Sequence, residues 1–134
     1  MYPYFVALFL NLPAISNGQN IEVIVKNVKN DKGTLMVGLF NSEKTFTIQS
    51  WKGEKPRAAA GTVKVIFQNI PSGEYAVSVY HDANEMLDVN FIGIPKEGFG
   101  FSNDVMGTFG PPTFEKAKFK CPVSQPISVT LKYF

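Results

Sequence analysis

From residue 21 onward, apolar residues alternate with mostly polar ones, and this period of two decides which secondary structure the chain can form. Alternate side chains of a β-strand point to opposite faces, whereas an amphipathic helix needs apolar residues three and four positions apart. No segment of useful length has the helical spacing. Five runs carry the alternating phase: Ile21, Val23 and Val25; Leu35, Val37 and Leu39; Val63, Val65 and Phe67; Tyr75, Val77 and Val79; and Ile127, Val129, Leu131 and Tyr133. The sequence therefore predicts a protein built from strands.

The predicted fold class is all-β, an antiparallel, immunoglobulin-like β-sandwich of about seven strands. Because each strand has one apolar face, two sheets have to stack to bury both sets of side chains. The chain has 134 residues, the size of one domain, so a single domain is predicted over residues 17–134. The side chains expected to point inward are Val65, Phe67, Val77, Val79, Val129 and Leu131.

Turn residues indicate how the first strands connect. Asn30–Gly33 lie between the first two runs, and a hairpin over residues 21–39 is predicted. Residues 41–61 are predicted to be a connection in which Ser42 caps one short helical turn. Two aromatic residues of this connection are expected to hold it against the core: Phe46 and Trp51.

A later stretch predicts one more strand and a buried thiol. Phe114, Ala117 and Phe119 suggest a strand, and two prolines interrupt the chain after it. The single cysteine, Cys121, excludes an intrachain disulfide and any cysteine-based zinc site. We expect Cys121 to be a small buried side chain at a strand end.

The N-terminal residues resemble a secretory signal. Tyr4–Leu12 are mostly apolar but too few to span a bilayer. Ala14 and Ser16 have the small-x-small spacing of a cleavage site, so residues 1–16 are predicted to be a signal peptide. The segment lacks a basic start, and the alternatives are a truncated or misassigned start or a buried first strand. A secreted or periplasmic location is expected.

Charge and hydropathy restrict the partners. The net charge of +2 is too small for a nucleic-acid footprint. No second apolar run could cross a membrane. We expect a monomer that binds an extracytoplasmic ligand, either a carbohydrate or a protein.

A long segment, residues 81–114, separates the strands. It contains five of the 12 phenylalanines and five of the 11 glycines, together with a group of acidic residues. Loops of this length are uncommon in compact domains unless they are functional or disordered. We therefore predict that this segment is the working surface of the protein.

Several motifs together resemble one bacterial family. The run FQNIPSGEYAVSVYHDAN is similar to the prealbumin-like sandwiches. The runs LDVNFIGIPKEGFGFSN and GTFGPPTFEKAKF are more specific, and with NSEKTF they resemble the family catalogued as domain of unknown function 2141. The similarity covers residues 21–134. It implies an exported prealbumin-like β-sandwich and supplies no catalytic residues.

Hard oxygen ligands at the start of the segment suggest a weak Ca²⁺ site, the only cofactor that the sequence suggests. The predicted ligands are Asp82, Asn84, Glu85, Asp88 and Asn90. Members of the family typically read His-Asp-x-Asn-x-Asn-Gly-x-Leu-Asp here, and this chain lacks that glycine. Calcium is therefore less expected than the family pattern implies, and a turn held by Asx side chains is the alternative.

Aromatic side chains of the segment suggest a ligand surface. The predicted ligand-binding residues are His81, Phe91, Glu97, Phe99, Phe101 and Phe109. The alternative is that the segment folds over the edge of the sandwich with its phenylalanines as a second small core, which would protect that edge from pairing with another molecule.

Catalysis is the least favoured interpretation. A serine or cysteine triad needs a histidine base, and the one histidine, His81, accompanies no nucleophile motif. The alternative function is a carbohydrate-active hydrolase that would use the carboxylates of Asp82, Asp88 and Glu97.

Overall fold

The computed structural model describes residues 18–83, 98–107 and 110–133. In these ranges the chain is mostly β, with a single short helix and one 3-10 turn at Ser102–Asp104. The elements are β1 Gln19–Val28, β2 Thr34–Phe40, β3 Lys52–Glu54, β4 Gly61–Ile70, β5 Gly73–Asp82, β6 Phe99–Phe101, α1 Phe114–Ala117, β7 Phe119–Cys121 and β8 Ile127–Thr130.

Two sheets stack face to face, which confirms the all-β sandwich. The smaller sheet has the order β4-β1-β8, and the larger sheet has the order β3-β2-β5-β6, with β7 paired to the start of β5. The pairs are antiparallel except β1 with β8, which run parallel. At one flank, Lys132 forms a bridge with Phe99 of β6, so backbone hydrogen bonds connect the chain just after β8 to the larger sheet.

The inner core lies between the sheets and follows the predicted phase. All six residues expected to point inward are at most 6% exposed. Tyr75 joins them on β5, and Leu35 joins them on β2. The period of two therefore identified the buried face of these strands correctly.

The predicted hairpin over residues 21–39 is wrong. β1 pairs with β4 and β8, whereas β2 pairs with β3 and β5, so the turn at 30–33 carries the chain from one sheet to the other. Gly33 has φ +70°, and a Cβ atom at this position would overlap the backbone oxygen of Asp82. This crossing therefore requires glycine, for its conformation and for its close approach to the end of β5.

Two other local predictions need correction. Phe114 and Ala117 do not belong to a strand. They lie in α1 and form its buried side. The N-cap residue of this helix, Thr113, accepts a hydrogen bond from the backbone N–H of Lys116. The strand begins only at Phe119. The connection over residues 41–61 contains β3 at its centre, which is exposed and pairs with β2.

A second cluster of aromatic residues covers part of the outer face of the larger sheet. Phe46, from the connection after β2, is 7% exposed as predicted and lies edge-on to Phe40 at 5.2 Å, Phe114 at 5.8 Å and Phe101 at 6.2 Å between ring centroids. Phe99 packs on Phe101 at 5.9 Å. The described part of the long segment thus contributes to a second small core, as the structural alternative predicted.

Trp51 and Cys121 differ in how fully they are buried. Trp51 is 41% exposed and contacts the core through its stacking on Tyr75, with ring centroids 5.7 Å apart. Cys121 ends β7 and is buried as predicted, and this burial raises the pKa of its thiol. Among the described residues, no helix has the length and apolar character needed to cross a membrane.

Candidate binding groove

An open groove of about 330 Å³ lies on the outer face of the larger sheet, beside the aromatic cluster. Strands β2, β3 and β5 and the connection between β2 and β3 contribute its walls. We call it the outer groove. It is lined by Met36, Val37, Gly38, Phe40, Thr47, Ile48, Ser50, Gly53, Glu54, Lys55, Ser78, Tyr80 and Asp82.

The register between β2 and β5 assembles the floor of the outer groove. Met36 is paired with Tyr80, and Gly38 is paired with Ser78. Paired residues of an antiparallel sheet share a face, so these four positions lie together on the side away from the inner core. A Cβ atom at Gly38 would lie 3.0 Å from the ring of Phe40, so the absent side chain helps to keep the floor open.

The connection between β2 and β3 forms one wall. Turns occupy residues 43–48, where the hydroxyl of Ser42 accepts a hydrogen bond from the backbone N–H of Lys44 at 3.1 Å. Phe46 fixes this wall because its ring is buried in the aromatic cluster. Ile48 is 81% exposed and lines the groove, so it presents an apolar side chain both to the groove and to solvent.

Asp82, the last residue of β5, supplies an unusual polar group to the outer groove. The residue is only 9% exposed, and its Oδ1 atom is buried without a hydrogen-bond partner in the described part of the chain. A buried acceptor without a partner lowers stability by about 1–3 kcal/mol, and a charged one by more. Either the folded protein is less stable by this amount, or the carboxylate has a partner outside the folded chain.

Tyr80 lies two residues before Asp82 and therefore points to the same face of β5. Its ring is half-buried and lines the groove. Burial raises the pKa of the Tyr80 hydroxyl, which therefore stays protonated at neutral pH and can donate a hydrogen bond. The groove thus places an aromatic ring next to a buried carboxylate.

His81 points to the opposite face and is 1% exposed. Its Nε2 atom lies 2.8 Å from the backbone oxygen of Lys32, which can only accept, so Nε2 carries the proton. Nδ1 then accepts from the hydroxyl of Tyr133 at 2.8 Å, and that hydroxyl accepts from the backbone N–H of Lys29. Both ring nitrogens are therefore engaged in holding the end of β5 to the turn before β2.

The structure describes four of the residues that the sequence nominated as a site and places them in three different surroundings. Asp82 lies in the outer groove, His81 belongs to the hydrogen-bond network below it, and Phe99 and Phe101 are buried in the aromatic cluster. Their ligand-binding and metal-binding roles stay predictions. The other nominated residues lie outside the described ranges: Asn84, Glu85, Asp88, Asn90, Phe91, Glu97 and Phe109.

Neither the calcium site nor the hydrolase alternative can be assembled from the described ranges. Within them, no group of three or more histidine, cysteine or acidic side chains could hold a metal ion. Of the three carboxylates predicted for hydrolysis, only that of Asp82 is described. Both predictions stay open.

Sequence reasoning missed most of the outer groove. Met36, Ser78 and Tyr80 lie at the outward-facing positions of β2 and β5. The alternating pattern identified the inward-facing positions of these strands as core and assigned no role to the outward-facing ones. A signal for the groove was present in β5, where the polar or aromatic residues Ser78, Tyr80 and Asp82 follow one another on the outward face.

A comparison with family models matches residues 23–128 of the chain. The matching family, domain of unknown function 2141, is described as an uncharacterized protein conserved in bacteria. This match covers well over half of the chain and confirms the resemblance noted from the sequence motifs, whereas the finer likeness to prealbumin-like sandwiches stays a prediction. No curated protein and no solved structure matches the chain significantly.

Proposed function

The chain belongs to the bacterial family of domain of unknown function 2141, and we propose that it is an exported, non-enzymatic module that binds a small ligand in the outer groove. The observation that carries this proposal is the groove itself, about 330 Å³ in volume. Ligand sites are commonly concave, mostly apolar, and equipped with a few polar groups that fix orientation. A volume near the lower end of their range favours a small molecule over a macromolecule.

The composition of the walls supports the same proposal. Met36, Phe40 and Ile48 supply apolar surface, while Ser78 and Asp82 supply polar groups on the same face. Asp82 also belongs to the segment 81–114 that the sequence nominated as the working surface, so the groove includes a residue of that segment. The strands of the larger sheet hold most of these groups in place, which reduces the ordering cost of binding.

A groove-filling variant, Gly53→Leu, tests the proposal. A Cβ atom at Gly53 would have nothing nearer than 3.6 Å, so the strand should accept a side chain there. Gly53 is paired with Gly38 and shares its face, and the added leucine should therefore enter the groove. We expect a fragment collection, screened by ligand-observed NMR, to yield ligands of the wild type that lose at least about tenfold in affinity for the variant.

Lys52→Leu is the matched control, because it adds the same side chain one residue away, at a position that does not line the groove. Its fragment affinities should equal those of the wild type. A screen without any ligand, or ligands that bind Gly53→Leu as well as the wild type, would contradict the proposed function.

Export is proposed from the N-terminal sequence. We expect cleavage after Ser16, where Ala14 and Ser16 provide small residues at the spacing that signal peptidase requires. Intact mass of the protein recovered from a bacterial host should correspond to a chain that starts at Asn17. The variant Ser16→Arg should retain residues 1–16, since a bulky cation does not fit the cleavage site. Full-length wild type in the cytoplasm would refute export.

A further inference from the structure

The environment of Asp82 indicates which ligands the outer groove would prefer. Its Oδ1 atom has no hydrogen-bond partner among the described residues, although more than nine-tenths of the residue is buried. Asp82 also lines the outer groove, so a donor bound there would lie beside its carboxylate. A positively charged donor would offset the burial of this carboxylate most strongly, because it adds the attraction of opposite charges to the hydrogen bond.

The charges that line the groove point the same way. Glu54 and Lys55 are exposed residues of opposite charge in the wall formed by β3 and the residue after it. The lining residues thus carry two acidic groups, Glu54 and Asp82, against the one basic group of Lys55, and the carboxylate of Asp82 is the buried one of the two. An anionic ligand would be repelled by it, and a cationic ligand would be attracted.

The neighbouring ring favours an organic cation. Tyr80 shares the outward face of β5 with Asp82, and an ammonium group near both could contact the carboxylate and the face of the ring. Met36 and Ile48 supply apolar surface beside them.

We propose that the outer groove selects small organic ammonium ions with an apolar body, and that Asp82 is their counter-ion. This inference rests on the proposed function, since it names the class of ligand for the same groove. The apolar body would lie against Met36 and Ile48, and the ammonium group would lie between Asp82 and Tyr80.

Three probes of similar shape and different charge test this inference: phenethylammonium, phenethyl alcohol and hydrocinnamate. We expect the wild type to bind phenethylammonium at least about tenfold more tightly than the alcohol, and hydrocinnamate most weakly. Asp82→Asn keeps the shape of the side chain and removes its charge, so it should bind the amine and the alcohol equally. Asp31→Asn is the matched control and should keep the preference, because it makes the same change at an exposed residue that does not line the groove.

Thermal unfolding tests whether the Asp82→Asn protein is a fair comparison. Its melting temperature should equal or exceed that of the wild type, because the substitution removes a buried charge that has no partner among the described residues. If Asp82→Asn melts well below the wild type, the carboxylate stabilises the fold and is not reserved for a ligand, which would overturn the inference.

The outcomes separate this inference from the proposed function. If the amine and the alcohol bind equally, and both lose affinity for Gly53→Leu, the groove binds ligands but does not select cations. If phenethylammonium fails to bind, or if Asp82→Asn keeps the preference, the inference is also overturned. Calcium chloride alone is a further arm: calcium binding that depends on Asp82, without any binding of phenethylammonium, would assign Asp82 to a metal.

Discussion

Val79→Asp should unfold the protein or lower its free energy of unfolding by about 4–5 kcal/mol, which is a large part of the total stability of a domain this size. Val79 is 0% exposed and lies in the centre of β5, between its pairing partners Val37 and Gly100. An aspartate there would bury a charge with no partner in the inner core, and burying an unpaired charge is among the most destabilising single changes known. Urea denaturation followed by circular dichroism measures the effect.

The matched control is Ile66→Asp. Ile66 lies on β4 and is 47% exposed, so the same type of change there leaves the charge in water. Its cost should stay below about 1 kcal/mol. If both variants denature at the same urea concentration as the wild type, the assignment of the inner core is wrong.

Ser102→Ala should lower the free energy of unfolding by roughly 2–5 kcal/mol, because it leaves two buried backbone groups without partners. The hydroxyl of Ser102 accepts a hydrogen bond from the N–H of Val77 at 2.9 Å and donates one to the carbonyl of Ala117 at 2.6 Å. It therefore connects β5 to α1. Denaturation curves measure the loss, and hydrogen exchange should show faster exchange in residues 99–117.

Ser78→Ala is the control for that substitution. Ser78 is also buried, at 3% exposure, but its side chain makes no hydrogen bond to the described residues and lines the outer groove instead. We expect this variant to denature within about 0.5 kcal/mol of the wild type. A Ser102→Ala protein as stable as Ser78→Ala would mean that the two hydrogen bonds of Ser102 do not hold the outer layer.

The inner core could be predicted from the sequence because the face to which a side chain points depends only on its position within its own strand. A period of two states directly which side chains share a face, so Val65 and Val79 could be assigned without knowing which strands pair. The turn at 30–33 was also visible, but a turn does not reveal whether the next strand pairs with the previous one or crosses to the other sheet. That choice depends on contacts distant in sequence, such as the close approach of Gly33 to Asp82.

The outer groove was hidden for the same physical reason. Met36 and Tyr80 are far apart in the chain and become neighbours only through the register of β2 and β5. Sequence analysis nominated Asp82 for its carboxylate, as a ligand for calcium, because nearby acidic residues formed a recognisable pattern. The lack of a hydrogen-bond partner for its Oδ1 atom within the described ranges depends on the folded structure, and no pattern of residue types expresses it.

The measurement that tests the groove most directly is a titration of the wild type with the strongest fragment, followed through the amide chemical shifts. We expect saturable shifts concentrated at five amides, with the same dissociation constant at each: those of Met36, Gly38, Ser78, Tyr80 and Asp82. Ile66, on the outer face of the other sheet, should not move. Shifts that saturate elsewhere while these five amides stay in place would contradict the assignment of the outer groove as the binding site.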